Sequence, residues 1–68
     1  MFRAELLKAK MVANNINAEV LSDKLGINPA TFYRKMSGES EFTRLELTII
    51  RAVLKLTAAD MDAIFFAE

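Results

Sequence analysis

Residues 26–29 read Gly-Ile-Asn-Pro, which sets a helix stop and a helix start one residue apart. Glycine takes up, at no steric cost, the left-handed conformation that closes many helices. Asparagine followed by proline is the opposite signal. The asparagine side chain accepts from an otherwise unpaired backbone N–H, and proline at the first helical position gives up an N–H that would have had no partner. Two helices are therefore joined through little more than Ile27, which is the pattern of a helix-turn-helix.

The same punctuation organises the rest of the chain. One proline and two glycines in 68 residues, with apolar residues recurring at helical spacing, predict an all-α fold in a single domain over residues 1–68. The first helix runs from about Arg3 to Asn14, with Leu7 and Met11 inward and Leu6, Ala9 and Ala13 beside them. Asn17 caps a second helix, Ala18 to Leu25, which Gly26 ends. The third runs from Pro29 to Ser37 and stops at Gly38. Thr43 and Glu46 form a T-x-x-E capping box that opens a fourth helix reaching about Leu56. Thr57 and Asp60 repeat that arrangement for a fifth, ending in Ile64-Phe65-Phe66. Neither an internal repeat nor a linker is expected.

Composition removes several classes of function. The chain has no cysteine and no histidine, so disulfides, thiolate zinc sites and catalysis by Cys or His are excluded, and no cofactor or metal is expected. No carboxylate, lysine or tyrosine pair forms a recognisable catalytic constellation, so an enzyme is not expected either. Charges interrupt the apolar residues too often for a membrane span, and the N-terminal stretch lacks the apolar core of a signal peptide. A cytoplasmic protein is the expectation.

The net charge is zero, but its distribution is uneven. Through Lys35 there are six basic residues against three acidic; from Met36 onward there are three basic against six acidic. One half is predicted to be basic and the other acidic, which would suit contact with a polyanion through the basic half; ordinary solvated charges are the competing reading.

The third helix has two chemically distinct faces. Phe32 and Met36, one turn apart, belong to the core, where Leu21, Leu25 and Ile27 meet them and the small Ser22 allows close approach. Pro29, Ala30, Tyr33, Arg34 and Ser37 form the other face. A solvated face needs only soluble residues, whereas an outward Tyr-Arg pair carries a ring, a hydroxyl and a planar five-donor group suited to base edges or phosphate. Tyr33 and Arg34 are the candidates for base readout, and Thr31 and Lys35 for backbone contact. Asn17, Lys24, Ser37, Ser40 and Arg44 add flanking phosphate contacts, and the N-terminal N–H groups near Ala18 and Asn28 favour phosphate as well. For each flanking side chain, an ordinary solvated role is the competing reading.

Phe65 and Phe66 are adjacent, so one helix face cannot bury both rings. A dimer contact through Met61, Ile64, Phe65 or Phe66 is the expectation, with closure of the core as the alternative.

Four stretches, KMVANNIN (residues 10–17), VLSDKLGINPATFYRKMSG (20–38), EFTRLEL (41–47) and DMDAIFF (60–66), occur in an order that resembles the lambda-repressor-type helix-turn-helix family, in particular the short Cro- or repressor-like regulators of phages and prophages. The resemblance covers most of the chain. It implies a compact five-helix fold, a recognition helix matching Asn28 to Ser37, and dimeric binding to double-stranded operator DNA in a bacterial cytosol or nucleoid. Two positions depart from the family pattern. Ala18 stands where members often carry glutamine, and Pro29 where many carry a polar or basic residue. The expected function is a sequence-specific transcriptional regulator, a homodimer on a near-palindromic operator. The alternative is a modulator of the same fold that binds a partner repressor protein instead of DNA.

Overall fold

A computed structural model describes residues 1–67 as five α-helices: α1 (Ala4–Ala13), α2 (Ala18–Leu25), α3 (Pro29–Met36), α4 (Arg44–Val53) and α5 (Ala58–Phe65). Among the described residues there is no strand, and no helix is long and apolar enough to cross a membrane.

The helix starts are where the caps were expected. Asn17 accepts from the Val20 N–H and Asn28 from the Thr31 N–H, each at 2.9 Å. Thr43 with Glu46, and Thr57 with Asp60, complete reciprocal capping boxes. Only α1 lacks a side-chain cap. There the Arg3 N–H donates to the Ile64 carbonyl at 2.7 Å, so the end of α5 satisfies the beginning of α1.

The helix ends hold a regularity the sequence reading missed. Asn15 (φ 56°), Gly26 (φ 72°) and Lys55 (φ 55°) all turn left-handed just past a helix. The next N–H then returns to a carbonyl five residues back: Ile16 to Met11, Ile27 to Ser22 and Leu56 to Arg51, at 2.9–3.0 Å. The residue after that is the next N-cap, Asn17, Asn28 or Thr57. One turn, consisting of a left-handed residue, an apolar residue and a cap, thus recurs at three of the four connections. It also corrects the fourth helix, which ends at Val53 and not near Leu56 because Lys55 turns left-handed with no glycine to announce it.

The core comprises Leu7, Met11, Leu21, Phe32, Met36, Ile50, Leu54, Leu56, Met61 and Ile64, drawn from every helix and from the last turn. Leu6, Leu25 and Ile27 pack partly against it, whereas Ala9 and Ala13, expected beside the inner face of α1, are exposed. Ser22 is buried as its size suggested, and its hydroxyl donates to the Ala18 carbonyl at 2.7 Å. Phe42 sits among Phe2, Phe32 and Phe65 with ring centroids 5.6–6.1 Å away, tying both ends of the chain to α3. Two polar contacts pin α1 to its neighbours: Asn14 donates to the Leu54 carbonyl at 3.2 Å, and Lys10 pairs with Asp60 at 3.3 Å.

Candidate nucleic-acid interface

The turn at Gly26-Ile27-Asn28 fixes how α3 leaves α2, and burial of Phe32 and Met36 fixes its rotation about its own axis. What remains outside is the expected face. Pro29, Ala30, Tyr33, Arg34 and Ser37 are all exposed, Tyr33 by 60%. Tyr33 packs one edge against Phe32 at a centroid distance of 6.2 Å, which steadies the ring while the rest of it faces solvent.

Residues from other elements extend this surface. A shallow groove is lined by Lys8, Met11, Ala18, Phe32, Tyr33, Met36 and Ser37, so α1 brings the exposed Lys8 beside Tyr33 and Ser37. Lys8 was not singled out from sequence, because nothing local shows which helix will border α3. Asn17, Lys24, Asn28, Ser40 and Arg44 are exposed, while Ala18 and Thr31 are half-buried. The Asn17 and Asn28 oxygens are already engaged as caps.

Burial changes the surroundings expected for several individual residues. Lys35, expected to reach a phosphate, is buried with 8% exposure. Its ammonium donates to Glu46 Oε1 at 2.6 Å and to the Glu41 carbonyl at 3.3 Å, with the Phe42 ring 5.9 Å away. The same Glu46 oxygen accepts the Thr43 N–H at 2.8 Å, so one carboxylate both caps α4 and anchors the end of α3. Burial raises the Glu46 pKa, but the Lys35 and Thr43 hydrogen bonds and the Lys35 charge outweigh it and hold the carboxyl below its ordinary 4.5. The basic half therefore loses one of its six cations from the surface.

Of the four residues expected at a dimer contact, Met61, Ile64 and Phe65 pack into the protein's own fold. Ile64 is 1% exposed and Met61 is buried, both within the protein's own core. Phe65 stacks on Phe2 at 5.4 Å and meets Phe42 edge-on at 5.9 Å. Phe66 alone of the four faces outward, at 58% exposure. It borders an open groove of about 770 Å³, lined among others by Phe2, Leu47, Phe42, Phe65 and the carboxylates Glu5 and Glu41.

The exposed face of α3 is also modified by its own C-terminal turn. Gly38 turns left-handed (φ 88°), and the Glu39 N–H returns to the Arg34 carbonyl at 3.0 Å. The Glu39 carboxylate then lies 4.0 Å from Arg34 Nε, with both side chains exposed. Compared with protein-family models, with curated proteins and with solved structures, the chain matches none.

Proposed function

We propose that the protein is a sequence-specific DNA-binding regulator that lays α3 in the major groove of duplex DNA. The observation that carries this reading is the outer face of α3. A helix whose rotation is fixed by burial of Phe32 and Met36 holds Tyr33 and Arg34 outward on a rigid support, beside small residues at its N-terminus. Pro29 and Ala30 let the helix end approach base edges closely. Arg34 supplies the donors that pair with guanine O6 and N7, and the Tyr33 ring suits contact with a thymine methyl. Lys8, Lys24, Ser37, Ser40 and Arg44 supply sequence-independent contacts to the backbone. Two copies joined at the Phe66 edge would read the two halves of a near-palindromic site in the bacterial cytosol, about 34 Å apart.

The test is fluorescence anisotropy with a duplex enriched from a random-sequence pool and a scrambled duplex of the same composition, at two salt concentrations. Preferential, salt-sensitive binding to the enriched duplex is the expected result. No enrichment of any duplex at low salt would overturn it. Arg34→Ala should cost about 1–3 kcal/mol on the enriched duplex and relax preference at one base step, with the unfolding midpoint unchanged.

One observation favours a second reading, a modulator that docks on a partner repressor protein. The groove beside Phe66 is aromatic and carries Glu5 and Glu41, chemistry that fits a protein segment better than a nucleic acid. Salt-tolerant binding to such a partner, with no duplex preference, would favour it.

A further inference from the structure

We propose that Glu39 is a specificity-determining positioning residue that buttresses Arg34 for base readout. The inference rests on the DNA-binding reading above. It starts from a difference among the helix ends at the four connections. At three of them, the residue whose N–H returns to the helix is apolar and packs partly or fully into the core: Ile16, Ile27 and Leu56. That apolar contact is the usual companion of the motif. At the end of α3 the same position holds Glu39, and its backbone bond goes to the carbonyl of Arg34 itself. The backbone therefore brings the stems of the two side chains together, within reach of a carboxylate–guanidinium contact.

The contact geometry suits a buttress. It runs from Nε, the donor nearest the chain, to Oε2 at 4.0 Å. The terminal amino groups of the guanidinium, which form the fork that matches guanine O6 and N7, lie beyond it. Attraction on the Nε side, longer in reach than a hydrogen bond, biases that fork toward one direction. A guanidinium released from Glu39 can swing toward any phosphate within reach of its long stem. Glu39 also sets a negative charge beside the exposed Arg34 at the end of α3, which penalises close approach to phosphates where no base contact compensates. Both effects act in one direction, favouring the matching sequence over the rest.

The Arg34–Glu39 contact is exposed and at the edge of ion-pair distance, so its effect is modest. Exposed pairs of this kind correspond to about a twofold to fivefold change in an equilibrium constant. Glu39→Gln should weaken binding to the enriched duplex and strengthen binding to the scrambled one, each by a factor in that range, so that their ratio falls. In an Arg34→Ala background the loss on the enriched duplex should vanish, because there is no guanidinium left to hold. Glu39→Asp, which keeps the charge on a shorter stem, should retain the penalty on the scrambled duplex but not the full affinity for the enriched one. Thermal midpoints of all variants serve as the control, since a merely structural role would move them and leave the ratio of affinities alone.

Equal tightening on both duplexes in Glu39→Gln would overturn the proposal, since Glu39 would then be a simple competitor for Arg34. Unchanged binding on both would also overturn it. Failure of the wild-type protein to prefer any duplex is a different outcome, which removes the DNA-binding reading itself.

Discussion

The turn between α2 and α3 and the connection between α3 and α4 begin alike and finish differently. Each opens with a left-handed glycine after a helix and a hydrogen bond from the following residue back into it. After Gly26, a single apolar residue leads straight to the cap of α3. After Gly38, the polar stretch Glu39-Ser40-Glu41 comes first, and the chain then returns through Phe42 to Thr43. The first turn is closed by local bonds and by Ile27 resting on the core. The second reaches its apolar foot only at Phe42, at the far end of the polar stretch, where the ring packs among Phe2, Phe32 and Phe65. The stretch itself is held by Lys35, which reaches from the end of α3 to the Glu41 carbonyl and to Glu46. Where the chain needs only a corner, four neighbouring residues suffice; where it carries a polar stretch before the next helix, a buried ion pair and the Phe42 ring share the holding.

Breaking that ion pair should have the largest effect. Lys35→Ala leaves the Glu46 carboxylate buried without its cation and should destabilise the fold by about 3–5 kcal/mol, measured by urea unfolding. A loss under about 1 kcal/mol would mean that the loop holds by other contacts.

Acid acts on the same pair more gently. The Glu46 carboxyl titrates below its ordinary 4.5 in the folded protein, so its contribution is fully present above that value and is lost as pH falls through the lower folded value. Asp60, held down first by the Thr57 backbone hydrogen bond, adds a loss of the same sign below its ordinary 3.8. The unfolding midpoint should be flat from neutral pH to about 5 and decline below 4.5, with a shallower decline in Glu46→Gln.

Smaller effects separate the turns by backbone conformation alone. Lys55 and Gly38 are both left-handed, but only one is a glycine. Lys55→Gly should stabilise, and Gly38→Ala should destabilise, each by about 1 kcal/mol. A Cβ at Gly38 meets nothing within 4 Å, so the cost there is conformational and not steric crowding. Equal signs for the two substitutions would show that side-chain contacts outweigh the backbone preference.

Sequence alone determined what depends on near neighbours. The caps at Asn17, Asn28, Thr43 and Thr57, and the stops at Gly26 and Gly38, involve bonds that span three to five residues, so the chain carries its own instructions for them. The outer face of α3 follows in part from the same local geometry: a helix with Phe32 and Met36 inward must turn Arg34 outward, whereas Tyr33 and Lys35 flank the inner face at equal angles and the fold exposes one and buries the other. Tertiary structure decided what depends on elements brought together from afar. Lys35 looks like any surface lysine until Glu46, 11 residues on, arrives beside it. The end of α4 is hidden in sequence because a lysine, not a glycine, turns left-handed at residue 55. Whether Phe65 or Phe66 packs inward depends on Phe2 and Phe42, which no local pattern places. A backbone hydrogen bond is specified by spacing, whereas the surroundings of a long side chain are specified by what the rest of the fold puts within its reach.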